Sequence, residues 1–303
     1  MRLVHCTMPG TCITCVSTFY LLLPPENCNR DLYLLLQEMF GKELQEVMQE
    51  ECGDGDFGTA LQLLSVNSLE CDCKILNAAT HGMGTDELLV YTVLSGRSNR
   101  EMDLLRKKYF DMYHEDLGQL ISSELGGHLG CLAMILLQAS EEEYDEGYHT
   151  DEKVAQDVVT LHDMGQGGWG ADEKGLFKIL CQAPKEYLEK VNIEYATQYG
   201  YTLSKVLESE LGGDVEHAAM YMLGMKLKPM ETVAALIKKA CAGFGTNELL
   251  LTKCLIRYQP IMKHVNQSHM EMYEKSVEDR VQEETGGDFQ KILLQVVATG
   301  MGL

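Results

Sequence analysis

One pattern recurs three times along this chain. A glycine loop of the form Gly-x-Gly-[Thr/Ala]-[Asp/Asn]-Glu runs straight into an apolar stretch. It stands at Gly82-Met-Gly-Thr-Asp-Glu87, at Gly168-Trp-Gly-Ala-Asp-Glu173 and at Gly243-Phe-Gly-Thr-Asn-Glu248. A second pattern follows each copy: Ser123-Glu-Leu-Gly-Gly-His128, Ser209-Glu-Leu-Gly-Gly-Asp214 and Glu283-Glu-Thr-Gly-Gly-Asp288. Gly84 to Glu124 and Gly170 to Glu210 are both steps of 40 residues, and Gly245 to Glu284 is a step of 39. Self-similarity at such a period means stacked copies of one supersecondary unit, each burying its apolar face against its neighbours. A fourth copy of the second pattern, Glu50-Glu-Cys-Gly-Asp-Gly-Asp-Phe57, has no glycine loop upstream. The chain therefore reads as three full repeats and the back half of another.

Between the glycine clusters the period is helical. Met102, Leu105 and Tyr109 fall on one face, as do Val233, Leu236, Ile237 and Ala240. Glycines close these runs where helix caps belong. Thr85-Asp86-Glu87 and Thr246-Asn247-Glu248 place a cap-competent hydroxyl and acids at helix starts. The expectation is an all-α fold. Residues 1–30 form a divergent N-terminal segment and 31–67 a partial repeat. Full repeats span 68–140, 154–226 and 227–303. An acidic linker over 141–153 separates two halves and reads as a solvated charge run.

The repeated pairing of a glycine loop with a distant carboxylate suits Ca²⁺, which takes six to eight oxygens in a flexible shell. Glycine lets a tight loop turn its carbonyls towards one point. Such a loop offers neutral oxygens and little charge, so a single carboxylate brought across by the fold anchors the ion. Water or a partner's oxygens complete the shell, and affinity rises when an anionic ligand is present. The residue between each glycine pair is bulky and apolar: Met83, Trp169 and Phe244. At exposed loop tips these suggest contact with a membrane interface, where aromatic rings favour the headgroup level. The alternative is that each ring folds back onto its own module.

Charge narrows the partners. Forty-six acidic residues against 25 basic give a net charge of -21. That excludes the basic stripe nucleic acid requires. It also opposes direct contact with anionic lipid, unless a bound cation reverses the sign locally. The 11 cysteines are odd in number and mostly lie in apolar periodic stretches, as Cys131, Cys181 and Cys254 do, which points to a reducing cytosol. Cys12 with Cys15, and Cys71 with Cys73, have no matching pair nearby to complete a zinc site. No apolar run reaches the ~20 residues of a membrane span, and the N-terminus makes a poor signal peptide.

The glycine loop, the Glu-x-Gly-Gly some forty residues on, and Leu94-Ser-Gly-Arg-Ser98 together resemble the annexin repeat. The resemblance covers about residues 31–300. It implies a curved disc of five-helix repeats whose convex face binds Ca²⁺ and, through it, acidic phospholipid. It also implies a cytoplasmic protein that becomes peripheral to membranes when Ca²⁺ is raised, and a monomer in solution. Carried over by the resemblance, the ligands are loop carbonyls plus one glutamate. They are Thr80, Gly82 and Gly84 with Glu124; Gly165, Gly168 and Gly170 with Glu210; and Cys241, Gly243 and Gly245 with Glu284. The partial repeat lacks its loop, so a Ca²⁺ site at Glu51 is expected to be absent. Ala171 replaces the usual Thr, and the repeat at 154–226 has Gln182-Ala183 in place of the Gly-Arg pair.

Enzymatic readings find no machinery. None of the glycine loops carries the Lys-[Ser/Thr] of a phosphate-binding loop, and neither Gly-x-Ser-x-Gly nor His-Glu-x-x-His occurs. No catalytic residue is expected. The other alternative is a helical scaffold that binds proteins such as cytoskeleton. Three glutamates at fixed spacing argue against a purely structural role.

Overall fold

A helix ends where the next residue will not continue it, and in this chain the glycine clusters set those ends. The computed structural model describes residues 52–53, 55–82, 84–166, 173–243 and 245–302. Every regular element among them is helical. Helix α1 (Asp56–Leu64) closes the partial repeat. The next repeat consists of α2 (Ser68–Thr80), α3 (Glu87–Leu94), α4 (Asn99–Tyr113), α5 (Leu117–Glu124) and α6 (Gly127–Leu137). It is followed by α7 (Asp151–Gln166), α8 (Glu173–Gln182), α9 (Lys185–Tyr199), α10 (Leu203–Glu210) and α11 (Gly213–Leu227). The last repeat holds α12 (Pro229–Ala240), α13 (Glu248–Arg257), a 3-10 turn at Gln259–Ile261, α14 (Met262–Tyr273), α15 (Val277–Glu284) and α16 (Gly287–Met301).

Two compact units emerge. Among the described residues, one joins those up to 71, from 52 on, with those from 233 onward; the other holds those of 72–232. In the first, α1 packs on α13 and α16. In the second, α3 packs on α6 and α11, and α6 also on α8. The helical faces read from the sequence are the core faces: Met102, Leu105 and Tyr109 are buried, as are Val233, Leu236, Ile237 and Ala240. Cys71 and Cys73 are buried side chains of α2, packed as small apolar groups.

The acidic linker behaves differently from a free charge run. It lies inside the 72–232 unit rather than between units. Its backbone is tied down: Glu142 N–H donates to the Gln182 carbonyl at 2.8 Å, and Glu141 N–H donates to Asn99 Oδ1 at 2.9 Å. His149 is its anchor, 1% exposed, stacked on Tyr144 and tilted against Tyr187. Glu142, Glu143, Asp145 and Glu146 still face solvent. The segment carries most of its acids on the outside while a buried imidazole, its main chain and the Lys226–Glu141 pair hold it down.

The Leu94–Ser98 signature has a physical explanation. Ser98 caps α4 reciprocally with Glu101. Arg97 turns inward, donating Nε–H to the Val93 carbonyl at 2.6 Å and pairing with Asp72. Both charged side chains are nearly sealed from water, at 6% and 7% exposure. In the following repeat, where that arginine is missing, Lys226 from α11 donates to the Cys181 and Ala183 carbonyls at 2.8 and 2.6 Å and pairs with Glu141. The same helix end is thus satisfied from a different helix. Removing one member of the buried Arg97–Asp72 pair takes a close counter-charge from the other. Asp72→Ala is therefore expected to cost about 3–5 kcal/mol, read as a lower midpoint in urea unfolding. A loss under about 1 kcal/mol, the scale of an exposed pair, contradicts this account.

Candidate metal centre

Each repeated glutamate is the last residue of a helix: Glu124 of α5, Glu210 of α10 and Glu284 of α15. A Gly-Gly turn then starts the next helix at Gly127, Gly213 and Gly287. Thr80 ends α2, and Glu87 begins α3 across the loop. The pattern that was periodic in sequence therefore maps onto helix ends.

In the repeat at α2–α6 the loop and its carboxylate meet. Thr85 Oγ1 donates to Glu124 Oε2 at 2.6 Å, bridging 39 positions of sequence. Gly84 has φ +96°, a conformation closed to most side chains, so the loop turns sharply there. Asp86 N–H donates back to the Ala79 carbonyl at 2.8 Å and pins the loop's base. Among the described residues no backbone amide donates to the carbonyls of Thr80, Gly82 or Gly84. Loop carbonyls that receive no amide among the described residues, in a loop bonded to one half-buried carboxylate, are a donor set of hard oxygens.

The α12–α16 repeat reproduces the arrangement with one difference. Gly245 has φ +104°, Asn247 N–H donates to the Ala240 carbonyl at 2.8 Å, and the carbonyls of Cys241, Gly243 and Gly245 likewise receive no backbone amide among the described residues. Thr246 Oγ1, however, donates to the main-chain carbonyl of Glu284 at 3.0 Å rather than to its carboxylate. Cys241 is buried beside that carboxylate, and burial first, then Glu284, pushes its thiol up to about 12. It stays a neutral thiol and offers only its carbonyl.

Threonine's role departs from expectation. Thr85 and Thr246 are not the helix caps. Asp86 accepts from Leu89 N–H and Asn247 from Leu250 N–H, each at 2.9 Å. The acid and amide sit at the cap position, and the preceding hydroxyl is released to reach the distant glutamate. The Ala171 exception in the sequence pointed to this hydroxyl without revealing its partner.

In the α7–α11 repeat, Glu210 is exposed at the end of α10, with Ser209 Oγ 3.4 Å away. Gly168 and Gly170 lie outside the described residues. Gly165 lies within α7, which ends at Gln166. Gly84 and Gly170 are 86 positions apart, and the same step carries Thr80 to Gln166 rather than to Gly165. Met83, Trp169 and Phe244 all lie outside the described residues. In the partial repeat, a Cβ on Gly58 would sit 2.1 Å from the Gly53 carbonyl oxygen, as one on Gly130 would sit 2.2 Å from that of Leu125. This shared close approach aligns Gly58 with Gly130, so Cys52, not Glu51, stands where Glu124 stands.

Electrostatics around α3 are strongly negative. Glu87, Glu124, His128 and Asp214 line an open cleft in the 72–232 unit. Burial, followed by the charges of Asp214 and Asp86, holds the Tyr91 phenol above its ordinary pKa. No cluster of three or more His, Cys, Asp or Glu side chains able to hold a metal occurs among the described residues. A soft, side-chain-only zinc or copper site is not what these residues build. Carbonyls with one carboxylate fit a hard divalent cation that keeps part of its shell for other ligands.

Comparison with known proteins agrees. The annexin family profile matches residues 71–136, 156–222 and 232–296. Annexin A13 of Mus musculus is 30% identical over 263 residues, which is 86% of this chain and 82% of that protein. Among solved structures, chicken annexin V superposes with a TM-score of 0.85 at 22% identity, covering 96% of this chain and 91% of that one. Calcium-bound annexin (Sm)1 superposes with a TM-score of 0.78 at 19% identity, covering 93% and 84%. With the repeated helix ends, the loop-to-glutamate pairing and the profile spanning three repeats, the chain belongs to the annexin family.

Proposed function

We propose that this annexin docks on acidic phospholipid surfaces through Ca²⁺ held at its loop carbonyls and helix-terminal glutamates. Ca²⁺-dependent phospholipid binding is general to the family; its assignment to particular residues is our reading. The observation that carries it is the Thr85–Glu124 bond, which closes a glycine loop of unpaired carbonyls onto a single carboxylate. Thr80, Gly82 and Gly84 with Glu124 hold one ion. Cys241, Gly243 and Gly245 with Glu284 hold a second, and Gly168 and Gly170 with Glu210 serve the third repeat. A calcium-bound relative, annexin (Sm)1, supports the choice of ion. The repeats are bounded at 68–140, 154–226 and 227–303.

The ion supplies positive charge where the protein has little. At -21 the chain is repelled by an anionic bilayer, and bound Ca²⁺ reverses the sign at the loops. Its open positions take headgroup oxygens. Met83, Trp169 and Phe244, between the glycine pairs, then meet the interface. Among the described residues no helix is long and apolar enough to cross a membrane. The protein works as a cytoplasmic monomer that becomes peripheral to membranes when Ca²⁺ rises, and it carries no catalytic role.

Sedimentation with phosphatidylserine vesicles tests this. The triple variant Glu124→Gln, Glu210→Gln, Glu284→Gln is expected to need at least about tenfold more Ca²⁺ to pellet, because each change removes the one formal charge of a shell. Wild-type protein is expected to stay in the supernatant in excess EGTA. Unchanged pelleting of the triple variant defeats the residue assignment, and strong binding in EGTA defeats bridging itself.

The Thr85 hydroxyl gives a finer test. Thr85→Val removes a hydrogen bond to a charged acceptor, worth about 1.5–3 kcal/mol at most. It is expected to weaken Ca²⁺ binding at the second repeat while the far-ultraviolet circular dichroism is unchanged. Affinity equal to wild type in calorimetry means the hydroxyl does not position Glu124.

Trp169 is the sole tryptophan, so its emission reports one loop. A blue shift is expected when Ca²⁺ and acidic vesicles are added together, and a smaller one with Ca²⁺ alone. Trp169→Ala is expected to cost about 1–3 kcal/mol of membrane affinity while leaving Ca²⁺ binding intact, since the loop ligands are main-chain oxygens. Emission already blue in the free protein and unmoved by lipid assigns the ring to core packing.

A further inference from the structure

The two described loop sites differ in what stands behind the glutamate. Four residues before Glu124 is Leu120, and four before Glu210 is Val206, both buried apolar side chains. Four before Glu284 is Arg280, also buried, at 7% exposure. A guanidinium there needs a counter-charge. Among the described residues, Glu284 is the one carboxylate within ion-pair reach, Nη1 to Oε1 at 4.0 Å. The contact is too long for a hydrogen bond, and Arg280 Nε has no hydrogen-bond partner among the described residues. His269, fully buried nearby, also keeps Nε2 unpartnered. Burial and then, among charges, Arg280 hold its pKa below the ordinary value, which favours the neutral ring, and an imidazole in either form offers the arginine no counter-charge.

The carboxylate of Glu284 is thus drawn to a fixed cation from below, and no hydroxyl holds it towards the loop. Glu124 has the reverse arrangement: leucine behind and the Thr85 hydroxyl in front. A divalent ion at the Gly243–Gly245 loop must share its only carboxylate with Arg280 and is repelled by the same charge.

We propose that Arg280 is a standing competitor for Glu284, making the fourth-repeat loop a weaker Ca²⁺ site that fills after the site at Glu124. This rests on the Ca²⁺ reading above and adds an order of filling to it: two steps, set by one buried side chain.

Calorimetric Ca²⁺ titration of the full chain tests it on two backgrounds. Glu124→Gln/Glu210→Gln leaves the fourth-repeat site, and Glu210→Gln/Glu284→Gln leaves the second-repeat site. The former is expected to bind about tenfold more weakly, and Arg280→Leu on that background to recover about tenfold. Equal affinity at the two sites, or no gain from Arg280→Leu, overturns the proposal while leaving the Ca²⁺ sites standing. A wild-type chain that binds no Ca²⁺ overturns both. Arg280→Gln, which keeps a polar head without charge, is the second variant should leucine not fold, and the comparison between backgrounds retains the native arginine throughout. A metal-free readout is independent of these. In EGTA, Glu284→Gln is expected to lower the thermal midpoint more than Glu124→Gln does, and Arg280→Leu is expected to cancel that loss in the double variant. Strictly additive effects mean the pair is not coupled, and the proposal fails.

Discussion

A helix leaves its last four carbonyls without amide partners, and this chain exploits that deficit at the end of the first helix of a repeat. There the helix breaks into glycines, and in the two repeats whose loops are described the carbonyls that follow receive no backbone amide among the described residues. The fourth helix of the repeat ends on a glutamate, and the fold delivers that carboxylate to the first helix's loop. Neither end constitutes a site alone. The loop has oxygens without charge, and the glutamate has charge without a cage. Bringing them together requires the intervening forty residues to pack reproducibly, so the core of each repeat is the precondition for its chemistry.

Arg97 and Lys226 illustrate how tightly that packing is specified. Both close off carbonyls at the end of the second helix of a repeat, one from the adjacent turn and one from a distant helix. The helix end is the corresponding one in each repeat, but the carbonyls closed off differ: Val93 in one, Cys181 and Ala183 in the other. A buried polar network accepts such exchange only when every member ends up paired, which Lys226 achieves with two carbonyls and Glu141.

Much of this was legible in the sequence, and the limits are instructive. Helix class, core faces such as Met102–Leu105–Tyr109, and the loop-to-glutamate interval follow from periodicity, which local side-chain chemistry dictates. The hydroxyl of Thr85 was misread as a cap because it sits beside two better candidates, and its partner lies 39 positions away. Sequence spacing states that two motifs are linked; it does not state which atom reaches across. The linker is less free than its composition suggests: most of its acids are outside, but His149, the Lys226–Glu141 pair and bonds to Asn99 and the Gln182 carbonyl fasten it. Composition averages over such an anchor. Gly165 stands one position off the 86-residue step that relates Gly84 to Gly170, a count the sequence itself contains. Arg280 drew no notice at all, since a lone arginine in an acidic helix looks like a surface residue until its burial is known.

The Gly58 and Gly130 contacts have a consequence for how such an array can change over time. In both repeats a helix start passes so close to a carbonyl that no side chain fits, yet only the second carries the glutamate; the first has cysteine in its place. The residues that dictate helix crossing and those we propose as ion ligands are separate sets. A copy can therefore fall silent as a binding element and remain in service as masonry, and the number of active sites along the chain is free to drift without the scaffold having to be rebuilt.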